Sequence, residues 1–145
     1  MIQGFGDLGL SLIISAVGSA LGTYTAGVAA IGSWKRAFSQ NKAAPFILIA
    51  FVGAPLSQTI YGMILKNAIV KANLPNETYG FQILVGLLAG LAMGLSALMQ
   101  GRAGAKAADA LGETGKGFFN YIMVIGIIET VALFVMVFTM NAIPK

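Results

Sequence analysis

The chain has 145 residues, 57% of them hydrophobic and only 10% charged, with a net charge of +4 and a mean hydropathy of +0.84. A charged share so far below the soluble norm of roughly 25% excludes an ordinary soluble domain and identifies an integral membrane protein. With no cysteine and no histidine, disulfides, thiolate nucleophiles and the usual transition-metal ligands are excluded as well.

Four apolar stretches of about 20 or more residues follow one another, so the expected fold is an all-α membrane protein of four transmembrane helices. The first, residues 8–31, lacks a basic leader region and runs too long for a signal peptide, so it reads as a retained helix without cleavage. Its Gly18, Gly22, Ala26 and Ala30 recur at every fourth position. Such a smooth stripe serves helix pairing within one molecule, or a crowded inner ring built from many copies.

The second stretch, residues 46–70, carries Ser57, Gln58 and Tyr61 within an arc of about 100°. Pro55 precedes them and removes the donor that would have bonded the Phe51 carbonyl, loosening the helix near the membrane centre. The third, residues 79–108, repeats the small-residue pattern at Gly86, Gly90 and Gly94 and carries Gln100. The fourth, residues 117–142, carries a single acid, Glu129, at its centre, with Thr130 beside it. An ionised side chain at that depth costs about 3 kcal/mol even on a lenient scale, so such acids usually mark ion or substrate pathways.

Residues 19–30 align with 96–107, matching at Ser-Ala-Leu and again at Ala-Gly, which divides the chain into two duplicated hairpins, 1–75 and 76–145. Opposite Glu129 the first hairpin offers Ala54-Pro-Leu-Ser-Gln58, which has no acid. The second and fourth stretches are bulkier, with Phe46, Phe51, Tyr61, Phe134 and Phe138, as an outer ring of helices requires. Lys35, Arg36 and Lys42 lie in the first connection. Arg102, Lys106 and Lys116 are assigned to the turn before the fourth helix, against Lys66, Lys71 and Lys145 on the other side. That bias puts residues 33–44 and 102–116 in the cytoplasm and both termini outside, and leaves little support for a nucleic-acid partner. No glycine-rich phosphate loop is present, so no catalytic nucleotide site is expected.

Glu129, Ser57, Gln58 and Gln100 together offer one carboxylate, two amide oxygens and a hydroxyl, an oxygen set suited to a monovalent hard cation such as Na+. A proton carrier needs less, only a carboxyl group in an apolar pocket. Counted from assumed helix ends, Ser57 and Gln58 lie level with Glu129, while Gln100 lies about 6 Å shallower, which makes it the outlying member.

These residues resemble a known family. Pro55-Leu-Ser-Gln58 with Tyr61, Gln100-Gly-Arg-Ala-Gly-Ala and Glu129-Thr130, on a duplicated four-helix hairpin, look like the proteolipid of V-type and A-type rotary ATPases. The chain is similar in particular to subunit K of bacterial sodium-translocating enzymes. The resemblance implies a concentric, double-layered membrane ring of roughly ten identical subunits, turned by ATP hydrolysis in a soluble head or driven in reverse to make ATP. It implies Na+, or H+, carried on Glu129 and held by Ser57, Gln58, Gln100 and the backbone carbonyl of Ala54. Tyr61 would close the site, and Thr130 would stand beside it. The family has a threonine where this chain has Ser57. A stator subunit would supply an arginine, since this chain is expected to have none at the membrane centre, and the central stalk would dock on residues 33–44 and 102–116. No organic cofactor is implied. Two rivals predict a small oligomer instead: a four-helix multidrug transporter, which carries its acid in the first helix, and a non-transporting scaffold assembled through the glycine stripes.

Overall fold

Apolar sequence without an internal break becomes helix in a bilayer because only a helix satisfies every backbone group within the segment. The computed structural model, which describes residues 6–144, shows four such helices: α1 (Leu10–Ser39), α2 (Phe46–Lys71), α3 (Tyr79–Thr114) and α4 (Phe118–Ala142). All four are long and apolar enough to cross a membrane, and no strand occurs among the described residues. The protein is an all-α, multi-pass membrane protein. Lys145, counted above toward the outer face, and residues 1–5 of the first hairpin lie outside the described residues.

Two helices run further than their hydropathy suggests. α1 continues past residue 31 to Ser39 and α3 past residue 108 to Thr114. The polar extensions hold together because Arg36 pairs with Asp109 at 2.6 Å and also with Glu113. Residues 33–44 and 102–116 are therefore mostly helix, not loop, and the connections shrink to 40–45 and 115–117. Gly115 ends α3 at φ 66° with its N–H on the Leu111 carbonyl, and Gly117 opens α4 at φ 92°. Both lie in the left-handed region that favours glycine. Arg102 and Lys106, counted above with the turn, stand inside α3, as the apolar stretch 79–108 already placed them.

The small-residue stripes are used within the molecule, where α1 and α3 run parallel along one seam. Gly18 meets the backbone of Gly94, Gly22 meets Ala97 and Gly101, and Ala26 lies beside Gly104; a Cβ on Gly18, Gly22 or Gly101 would overlap the facing backbone. α2 and α4 pack outside this seam and leave Leu56, Ile60, Val131, Phe134 and Phe138 exposed. Two apolar clusters join the layers. One, at the end carrying the 40–45 and 115–117 connections (the double-loop end), contains Leu48, Phe51, Leu111 and Ile125, with the Phe51 and Phe118 rings 5.5 Å apart. The other, toward the opposite end, contains Leu65, Ile69, Met93, Ala132 and Met136.

Asp7, which the sequence reading passed over, is fully buried before α1. It accepts the N–H groups of Gly9 and Ser11 at 2.9 Å each and the Ser11 hydroxyl, which satisfies donors at the start of the helix.

Candidate ion-binding site

Between the two apolar clusters α2 is not a uniform helix. Residues Ala54–Leu56 form a 3-10 turn ahead of the α-helical run Ser57–Lys71, as expected where Pro55 cannot donate to the Phe51 carbonyl. That carbonyl faces α3 instead, where a Cβ on Gly104 would come within 2.9 Å of it. The irregular turn lies against protein, the setting in which a membrane tolerates it.

Six residues on three helices are linked by a continuous set of hydrogen bonds. The Ser57 hydroxyl lies 3.1 Å from the Ala54 carbonyl and 3.2 Å from Gln58 Oε1. With one hydrogen, it donates to either of them. Gln58 Nε2 donates to Gln100 Oε1 at 2.8 Å, and Gln100 Nε2 donates to Glu129 Oε2 at 3.2 Å. Tyr61 closes the set from the other side, its hydroxyl donating to Glu129 Oε1 at 2.7 Å.

Gln100 thus corrects the depth argument, which made it the outlying member. Both Gln58 and Gln100 have no solvent exposure, and Gln100 bridges the α2 amide to the α4 carboxylate. The helix-end count failed because α3 is longer than its apolar run, so its end was placed wrongly. Thr130 departs from expectation in the other direction. Its hydroxyl donates to the Ile127 carbonyl of its own helix at 2.7 Å and does not join the network.

Glu129 itself is half-buried between α2 and α4, while the amides behind it are sealed. The arrangement is a polar pocket closed on the α1 and α3 side and approached from the α2 and α4 side. Ser96 completes its support: the hydroxyl donates to the Ile128 carbonyl at 2.9 Å, and Gln100 Nε2 also reaches the Ile125 carbonyl at 3.2 Å. α3 therefore holds α4 on the turn that carries Glu129. The one sequence signal for Ser96 was its place four residues before Gln100, hence on the same helix face.

Arg102 is the arginine nearest the network along α3. It lies two residues past Gln100, about 3 Å along the axis and about 200° around it. Its side chain is exposed, away from the buried network, and its recorded contact is Met99 Sδ at 3.9 Å.

Chemically, the pocket offers a carboxylate surrounded by neutral oxygens, with no nucleophile or acid–base pair for bond breaking. Residues 83–141, which cover most of α3 and α4 and include Gln100 and Glu129, match the family model of the ATP synthase C-subunit. No curated protein matches the chain. The match supports a c-type proteolipid of the rotary ATPases, an ion-translocating rotor component. The chain is a non-catalytic membrane subunit.

Proposed function

We propose that this chain is a rotor-ring subunit of a sodium-translocating V-type ATPase, carrying one Na+ on Glu129 through each turn coupled to ATP hydrolysis or synthesis. The observation that carries this reading is the hydrogen-bonded chain from the Ala54 carbonyl through Ser57, Gln58 and Gln100 to Glu129. It gathers one carboxylate and four neutral oxygen groups, and a single negative charge balances a monovalent cation. Each carboxylate oxygen faces a donor, Tyr61 or Gln100. A proton-carrying version of the same ring is the second reading, favoured by the half-exposed position of Glu129.

In this reading Na+ entry turns the Gln58 amide, because Gln100 Oε1 now accepts from Gln58 Nε2 and must be released to face the cation. The loaded site is electrically neutral and can pass lipid, whereas the bare carboxylate cannot. Only loaded sites then rotate freely. Release needs a cation supplied by a stator subunit; Arg102 does not serve, being turned away from Glu129's network.

The chain functions as two hairpins, 1–75 and 76–145, of which the second bears the acid. Roughly ten copies close into a ring, with α1 and α3 inside and α2 and α4 outside. Both termini face outward, and the paired extensions around Arg36, Asp109 and Glu113 enter the cytoplasm, where the central stalk docks.

Radioisotope Na+ binding to the purified protein tests the ion, with one Na+ per chain expected. Labelling of Glu129 by a hydrophobic carbodiimide should slow as Na+ rises at fixed pH. Labelling that ignores Na+ and falls only with rising pH would move the assignment to the proton.

A further inference from the structure

Two hydroxyls inside α1 lack what their neighbours on the same helix have. The buried Ser15 hydroxyl donates to the Ser11 carbonyl at 2.6 Å, and that of Thr25 donates to the Leu21 carbonyl at 2.7 Å. Ser11, fully buried, bonds to Asp7 at 2.5 Å. Between them Ser19 Oγ and Thr23 Oγ1, buried on successive turns, find no partner among the described side chains and backbone groups. A buried hydroxyl left unbonded is costly and rare, and ordered water is the usual remedy.

Ser19 is only 2% exposed. It stands between two contacts of α1 on α2, since a Cβ on Gly62 would meet Ser15 and a Cβ on Gly22 would meet Pro55. That places the two hydroxyls toward the irregular turn Ala54–Leu56, with α3 closing the other side through the Gly18–Gly94 and Gly22–Ala97 contacts.

The alignment of residues 19–30 with 96–107 sets Ser19 opposite Ser96 and Thr23 opposite Gln100. In the second hairpin these two side chains donate across to the Ile128 and Ile125 carbonyls of α4. The corresponding carbonyls of the first hairpin belong to Leu56 and Gly53 on α2. A threonine hydroxyl stops two bonds short of a glutamine amide, roughly 2.5 Å, and one hydrogen-bonded water adds about 2.8 Å of reach. Side chains one turn apart are separated by about 5–6 Å, a span that a single water also bridges.

We propose that Ser19 and Thr23 hold one ordered water between α1 and α2, so that threonine and water do in the first hairpin what the Gln100 amide does in the second. The water accepts from both hydroxyls and donates to carbonyls of the 53–56 turn, which completes four hydrogen bonds. The ligand is water and not a cation, because hydroxyls and carbonyls bring no negative charge to balance one. The bridge braces from behind the turn that leads into Ser57 and Gln58. It holds whichever ion Glu129 carries and however many copies assemble, since both hydroxyls are buried within a single chain.

Water-edited solid-state NMR on the full-length, carbon-13-labelled protein in lipid bilayers tests the bridge. Magnetisation from water should reach the side-chain carbons of Ser19 and Thr23 early, while Leu65, equally buried in an apolar cluster, stays dark. Thr23→Val should abolish the transfer to Ser19 as well, and should lower the unfolding temperature by about 3 °C. Thr23→Gln should also darken Ser19, its amide replacing the water, but should keep the unfolding temperature of wild type. Ser19 and Thr23 as dark as Leu65 in wild type overturns the proposal without any variant having to fold. An unchanged or raised unfolding temperature in Thr23→Val overturns it too, as a hydroxyl without a partner is lost at no cost. Undiminished transfer to Ser19 in that variant would equally rule out a water shared by the two residues.

Discussion

Tyr61 and Glu129, 68 positions apart in the chain, meet across the gap between α2 and α4 at 2.7 Å. This bond lies on the more open side of the pocket, with the buried amides behind it. In the proposed function Tyr61 is the side chain an ion would pass or displace.

Tyr61→Phe keeps the ring and removes the donor, so Na+ should leave faster while equilibrium affinity changes less. A hydrogen bond to a charged group contributes about 1.5–3 kcal/mol, so the release rate should rise about tenfold or more. Rapid-filtration release of radioactive Na+ measures it, and an unchanged rate would remove Tyr61 from the gating role.

Glu129→Gln deletes the charge with almost no change in volume. Coupled ion transport and carbodiimide labelling should both disappear, while helical content and oligomer mass in detergent stay as in wild type. Full coupled transport in this variant would end the carrier assignment.

Gln100→Leu should be more damaging than Gln58→Leu, because Gln100 both accepts from Gln58 and donates to Glu129. Na+ affinity should fall roughly a hundredfold, corresponding to about 2.8 kcal/mol of lost coordination. The buried Gln58 amide, left without its acceptor, should cost stability by a further 1–3 kcal/mol or so. Binding isotherms and thermal unfolding of the two variants separate these effects; equal, wild-type affinity in both would dissolve the proposed oxygen cage.

Gly101→Val and Gly32→Ala should move stability in opposite directions. A side chain at 101 would run into the Gly22 backbone, whereas nothing lies within 4 Å of a Cβ at Gly32, inside α1. The first should lower the unfolding temperature, by an overpacking cost of about 1–3 kcal/mol or more. The second should raise it slightly, by about 0.5–1 kcal/mol. A destabilised Gly32→Ala would mean that its exposed surface is covered by another copy.

Much of this was readable from residue type and spacing. Hydropathy marks the four spans, and Ser57, Gln58 and Tyr61 had to share a face once α2 was a helix. The acid at 129 was conspicuous because nothing apolar explains it. What failed was anything that depended on where a helix stops. Ser33 to Ser39 and Asp109 to Thr114 are polar enough to resemble loop, and the contacts that join them, Arg36 with Asp109 and Glu113 and the Ser33 hydroxyl with the Ala108 carbonyl, are distant in sequence. The misplaced end of α3 then carried over into the depth of Gln100. Thr130 misled for a different reason. A threonine in a helix bonds readily to its own preceding carbonyls, and adjacency in sequence to Glu129 turns it to a different side.

The Gly18–Gly94 and Gly22–Gly101 contacts bring backbone against backbone, with no side chain between to act as a bearing. Two rods joined in that way cannot slide or roll past each other without the backbones colliding. They behave as one stiff stave, clamped further at its end by Arg36. A sideways load applied to the paired extensions is therefore delivered at the depth of Glu129 as displacement of the whole stave, with little lost as internal twist.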